Sequence, residues 1–212
     1  MMKRPIKTLI NFLIELKNLF YVFFNRAYFW SNSIKFGENM RITGPATLII
    51  RGRSENIIIG NDFACSGQLI LNNRESGKIV IGNNVFFDKS VELCAARDAT
   101  VEIGNKVTIC PRFILNAGAD VSIGKSTVIA ANCNINASER QRAIGMEMIN
   151  QEYLHAPISI GNDVWFGVGV SVLKGVKIGD GVIIGSNAVV SSDIEENSIA
   201  VGVPAKTVKF RE

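Results

Sequence analysis

Bulky apolar residues recur at every sixth position through the C-terminal part of this chain. Counting from Ile160, the first place of each hexad is taken by Ile160, Phe166, Val172, Ile178, Ile184 and Val190. The fifth place is taken by Val164, Val170, Val176, Val182, Ala188 and Ile194, so six consecutive hexads pass without exception. A half-buried strand alternates at period two and an amphipathic helix at 3.6. A strict period of six, with small or polar residues between, suits neither alone. It suits a three-sided solenoid in which each hexad forms one flat face and a turn, and each inward residue stacks on its counterpart one coil along.

The same frame runs more loosely upstream as Ile81/Val85, Phe87/Val91, Ile103/Val107, Ile109/Phe113, Ile123/Thr127 and Ile129/Cys133. Ile-Gly pairs mark the coils, with glycines at 60, 82, 104, 124, 161, 179 and 185 and intervals of 22, 22, 20, 37, 18 and 6. Glycine in the second place is expected to let the backbone bend where a Cβ would be costly. The interval of 37 is one 18-residue coil plus 19 residues, which predicts an excursion between Ala137 and Pro157. Long loops in compact domains are usually functional or disordered, and the first is favoured here. The expected fold is all-β, a left-handed parallel β-helix over residues 37–201 with the excursion at about 137–157 and a tail at 202–212.

A solenoid needs its ends covered, and residues 1–36 suit an amphipathic helical segment. Ile6, Leu9, Ile10, Leu13, Leu16, Leu19, Phe20, Phe23 and Phe24 make an apolar stripe near helical spacing. Packing on the solenoid end is one reading. The other is contact with an anionic membrane through residues 3–30, because Lys3, Arg4, Lys7, Lys17 and Arg26 against Glu15 account for the whole net charge of +4. The longest uncharged stretch falls short of the roughly 18 to 20 residues that a spanning helix needs. The rest of the chain is charge-balanced, which argues against a nucleic-acid partner, since such affinity rests on rows of Lys and Arg. The cysteines, Cys65, Cys94, Cys110 and Cys133, match no zinc or redox spacing and read as small buried fillers. With no signal peptide evident, a reducing cytoplasmic location is expected, at the inner face of the membrane if the helix binds lipid.

The stretch PISIGNDVWFGVGVSVLKGVKIGDGVIIGSNAVVSSDIEENSIAVGVPAKTVKF resembles the hexapeptide-repeat acetyltransferases, especially those that O-acetylate sugars and surface polysaccharides. Pro157–Gly167 is similar to their PIxIGDxVWIG block, Leu173-Lys174-Gly175 to ILKG, and Gly202-Val203-Pro204-Ala205-Lys206 to the closing GxPAK. The resemblance implies a homotrimer with active sites in grooves between adjacent solenoids, acetyl-CoA as co-substrate, no metal, and a saccharide acceptor. It implies an oxyanion donor close to Gly167, a wall to the acceptor or acyl site from Trp165, and a pantetheine groove lined by Gly185, Ser186, Ser191 and Ser192. Lys206 and Lys209 would meet the nucleotide phosphates.

One position departs from that family. Where its SDxH run places a general-base histidine, this chain has Ser138-Glu139-Arg140-Gln141, and glutamine accepts no proton at neutral pH. Losing general-base help typically costs about 10² to 10⁴ in rate. Four readings remain open: the only histidine, His155, acts from the far end of the excursion; Glu139 is the base, its pKa raised by burial; the acceptor is an amino sugar, whose amine needs less activation; or catalysis is weak, Gln141 being a native or an engineered change. A β-helix carbonic anhydrase is excluded by its need for three histidines. The remaining rival is a binding or scaffold trimer.

Overall fold

The computed structural model describes residues 4–212, with side chains from Thr8 onward; Lys3 and the side chains of Arg4, Ile6 and Lys7 lie outside the described residues. The body is a left-handed parallel β-helix with an N-terminal α-helix. Three parallel sheets form its sides. Sheet 1 runs from Lys35–Phe36 to Lys177–Ile178, sheet 2 from Arg41–Ile42 to Ser198–Val201, and sheet 3 from Ala46–Ile50 to Val189–Val190. Every residue placed in a first or fifth slot is buried, from Ile81 to Ile194.

Thr127 is the polar exception among them, and it is satisfied. Its hydroxyl donates to the Gly161 carbonyl at 3.1 Å and accepts from the Val164 N–H at 3.3 Å. Phe63 and Phe87 meet edge to face from coil to coil with ring centroids 5.1 Å apart. Burying side chains of this size contributes about 1.5–3 kcal/mol each, and the stacked interior is what holds one coil to the next.

Coil length explains the uneven glycine intervals. Ile59 pairs with Ile81 and Ile81 with Ile103, whereas Ile160 pairs with Ile178. The longer coils carry five-residue strands on sheet 3, such as Leu69–Asn73 and Val91–Ala95, where the last coil has only Val189–Val190. The role expected of the Ile-Gly glycines is corrected. None at 60, 82, 104, 124, 161 or 179 has left-handed φ; instead a Cβ at Gly82 would lie 2.6 Å from Asn105 Oδ1, and one at Gly161 would meet Asp180 Oδ1. These glycines let successive corners approach. The side chains they admit form a ladder in which Asn83, Asn105 and Asp180 accept from the backbone N–H of Asn61, Asn83 and Asn162.

Carbonyls of the first coil face the open N-terminal end and need donors. The helix α1, Arg4–Ser31, supplies them. Asn25 Nδ2 donates to the Ile42 and Gly44 carbonyls at 3.1 and 2.9 Å, and Phe29 is buried beside it. Only this end of α1 lies on the coil. The stripe expected to pack there is exposed from Leu9 through Phe24, so end-packing by those residues is corrected. Among the described residues no helix is long and apolar enough to cross a membrane. At the other end the tail folds back as Lys206–Phe210, antiparallel to Ser198–Val201.

Of the cysteines, Cys65, Cys94 and Cys133 are buried fillers as expected. Cys110 is partly exposed at a corner, which corrects that reading for one of the four. Burial pushes the Cys65 thiol up to about 11.

Candidate active site

The excursion leaves the solenoid after Ala137, at the corner between sheets 3 and 1, and returns at Ile158. The coils on either side pair directly, Val121 with Ile158 and Ile123 with Ile160. The excursion itself is a hairpin of Ser138–Arg140 against Tyr153–His155, in which Ser138 faces His155 and Arg140 faces Tyr153. Its tip is tied by the buried Gln151, whose amide Nε2 donates to the Ala143 and Met146 carbonyls at 2.8 and 2.9 Å.

This register orients the single histidine. Ser138 Oγ lies 2.9 Å from His155 Nδ1, Tyr153 stacks on the imidazole, and the Arg140 guanidinium covers Tyr153 at 4.4 Å while donating to its hydroxyl at 3.1 Å. When the Ser138 hydroxyl accepts from Nδ1–H, the lone pair is on Nε2. That atom has no hydrogen-bond partner among the described residues. Gly118, one coil below, makes the room: a Cβ there would fall on His155 Nδ1 and lie 2.5 Å from Ser138 Oγ. Gln141 stands beyond these rungs, its backbone N–H donating to the Glu152 carbonyl at 2.9 Å.

Glu139 does not fit the role of a base whose pKa is raised. Desolvation pushes its carboxyl up, but hydrogen bonds and charge from Lys174 and Arg142, 3.3 and 3.0 Å away, outweigh it and hold the group below the usual carboxylate range. Glu139 is an ion-paired brace between the hairpin and the next coil.

The other expected residues are dispersed over the prism. Trp165 points outward from sheet 2 between Val128 and Ile183 and is 54% exposed. In a three-sided body that face is opposite the corner carrying His155, so one chain does not bring the two together. Gly167, Gly185 and Ser186 follow sheet 2 at its corner with sheet 3. The Gly167 N–H is itself engaged with the Ile184 carbonyl at 2.8 Å and is not free for an oxyanion, so a donor close to Gly167 must be another amide. The Gly185 N–H is likewise held by the Ala200 carbonyl at 2.8 Å. The next amide at each level, on Ala131, Val168 and Ser186, has no hydrogen-bond partner among the described residues, so this corner presents a row of unpaired donors. Ser191 and Ser192 lie on the His155 corner, two coils further on, and are separated from Ser186. Lys206 and Lys209 are exposed on the tail strand, opposite Val201 and Ile199.

Sequence reasoning gave no role to Ser138, Tyr153, Arg140 or Gly118. Only Gly118 left a signal, a glycine outside the Ile-Gly pairs. Among the described residues no group of three or more His, Cys, Asp or Glu side chains gathers into a metal-binding cluster.

Residues 157–192 match the family described as bacterial transferase hexapeptide (six repeats). The chain is 37% identical over 118 residues to a probable acetyltransferase of Mycobacterium tuberculosis, covering 55% of this chain and 39% of that protein. It is 36% identical over 89 residues to the galactoside O-acetyltransferase of Escherichia coli, covering 42% of this chain and 43% of that protein. The chain thus spans less than half the length of these two relatives. Among solved structures it is similar to AntD, an N-acyltransferase from Bacillus cereus in complex with dTDP and 3-hydroxybutyryl-CoA, at TM-score 0.60, 17% identity and 88% coverage of each chain. That likeness is one of fold. Together with the coil geometry above, these matches show a hexapeptide repeat of the transferase type within a left-handed parallel β-helix.

Proposed function

We propose that this chain transfers an acetyl group from acetyl-CoA to a hydroxyl of a saccharide, with His155 as general base. The observation that carries the reading is the Ser138–His155 contact at 2.9 Å, which orients a partly exposed imidazole whose Nε2 has no hydrogen-bond partner among the described residues. His155 Nε2 takes the hydroxyl proton as the oxygen attacks the thioester carbonyl. The oxyanion that forms is held by an unpaired amide, for which Val168 N–H is the candidate in place of Gly167. The C–S bond then breaks, and the leaving thiolate takes the proton back from the imidazolium, giving the acetyl ester and CoA. Pantetheine carries two amides, and the row of unpaired donors at Ala131, Val168 and Ser186 suits their carbonyls. Lys206 and Lys209 stand nearest the phosphates in this reading.

Because His155 and the face bearing Trp165 are on opposite sides of one prism, a complete site needs two copies, and a homotrimer closes three such grooves. The exposed stripe of α1 is assigned to an anionic membrane surface, since Lys17 borders it and the first thirty residues hold the net charge of +4. Flotation on phosphatidylserine vesicles checks this: removal of residues 1–24 should abolish it, and unchanged flotation refutes it. An amine acceptor is the second reading, favoured by the absence of a histidine at Gln141. Thiol release from acetyl-CoA with sugars and amino sugars decides between them. His155→Ala is expected to lose about 10² to 10⁴ in rate with a hydroxyl acceptor and far less with an amine. A His155→Ala enzyme of wild-type rate on hydroxyls would remove the mechanism, and CoA failing to bind would remove the function.

A further inference from the structure

We propose that the corner on the N-terminal side of His155 holds an anionic group of the acceptor, a carboxylate or a phosphate, between Arg74 and Arg97. The inference rests on acyl transfer at His155 and names the class of acceptor that this site would take.

The coil register builds the place. Asn73 pairs with Ala95 and Ala95 with Ala117, so Arg74, Ala96 and Gly118 stack one per coil, and Ser138 follows them after Ala137. The column therefore narrows to Ala96 and Gly118 immediately below the histidine. The hollow left there has a volume of about 280 Å³; Arg74, Glu75 and Arg97 close one end, and Ser138, Tyr153 and His155 the other. A cavity of this size suits a small polar ligand.

Neither guanidinium is hydrogen-bonded or ion-paired to another described residue, although acids stand nearby. The Glu75 carboxylate is turned onto the backbone N–H of Arg97. Asp120 Oδ1 accepts from the Thr100 N–H at 2.7 Å. Asp98, in the adjoining hollow, is the remaining neighbour of opposite charge. The contact from Glu75 ties together two equivalent turns of successive coils, in which Glu75 and Arg97 take left-handed φ, 53° and 62°. The contact fixes the Arg97 backbone and leaves its guanidinium free, and a free guanidinium offers a planar fork to carboxylate or phosphate oxygens. With coils about 4.8 Å apart, Arg97 stands two levels, about 10 Å, from Ser138. That is the distance from a reacting hydroxyl to a charge on the next sugar, or to a diphosphate on the same one.

Coenzyme A also carries phosphates, so the test must separate donor from acceptor. Calorimetric titration of the full chain, without acetyl donor, would compare glucuronic acid, UDP-glucose, neutral glucose and CoA. Arg74→Ala and Arg97→Asn are the variants, asparagine being chosen because it tolerates left-handed φ; thermal melting confirms that each is folded. The expected result is tighter binding of the acidic than the neutral sugar, weakened about ten- to a hundredfold in each variant, with CoA affinity unchanged. Equal binding of acidic and neutral sugars, or variants without effect, would overturn the proposal. So would an equal loss of CoA, which would assign the corner to the donor. Acidic sugars bound through these arginines by a chain that releases no thiol from acetyl-CoA would refute the acyl-transfer reading and leave the anion site standing.

Discussion

The space beneath His155 can be filled with one methyl group. In Gly118→Ala the new Cβ would fall on Nδ1 of His155 and lie 2.6 Å from Cε1 and 2.5 Å from Ser138 Oγ. Ordinary carbon contacts are at about 3.5 Å, so the imidazole must retreat by about 1 Å. The hairpin lies outside the parallel ladder and is held to the next coil by the Glu139–Lys174 pair, so the folding penalty falls in the overpacking range of about 1–3 kcal/mol. Catalysis has less tolerance, since a displacement of about 1 Å costs about a hundredfold. Steady-state thiol release should place Gly118→Ala about a hundredfold below the parent, and the double variant should be no slower than His155→Ala alone. A Gly118→Ala enzyme that is folded by circular dichroism and within about threefold of the parent rate would refute the argument that this glycine positions the base. Multiplicative losses in the double variant would refute it equally, because independent effects would then be at work.

Glu139→Gln removes the brace to Lys174 and Arg142. With the native carboxyl held below its ordinary range, the brace is intact above the unfolded carboxylate pKa and is lost as pH falls through the lower native value. Hydrogen exchange should therefore show the hairpin loosening on acidification in the parent and already loosened at pH 7 in the variant, while the alkaline rate profile stays unchanged. Phe87→Ala should cost about 3–5 kcal/mol in urea unfolding, because a fully buried ring packed edge to face with Phe63 leaves a cavity that the coils cannot close. In native protein at pH 8 a thiol reagent should modify Cys110 first and Cys65 only after unfolding; equal rates would contradict the burial that lifts Cys65 from 9.0 to about 11. Folding keeps that thiol protonated, so its contribution to stability is complete below pH 9.0 and fades as pH rises toward 11.

The inward residues from Ile81 to Ile194 were legible because one side chain per slot repeats until the pattern excludes other periods. The glycine pairs were legible as marks but not for their reason: chain bending and the approach of a neighbouring corner leave the same residue in the sequence. Which part of α1 packs was not legible, because an apolar stripe says which face is sticky and not which turns meet a partner; Asn25, a polar residue, does the capping. Ser138 and His155 stand 17 residues apart, and nothing in composition says that a hairpin register will set them face to face. The Gly167 amide shows the same limit, since whether a backbone donor is free depends on the carbonyl one coil away.

The hairpin at 138–156 contributes no rung to the parallel ladder, because Val121 and Ile123 join Ile158 and Ile160 as though nothing intervened. It is an appendix hung from an unbroken spool. Exchanging it for a short corner such as the one after Val190 should leave the melting temperature nearly untouched while removing the histidine altogether. The chemistry proposed for His155 and the durability of the coils are therefore separable by a single splice, and loops of other lengths could be grafted at the same gap.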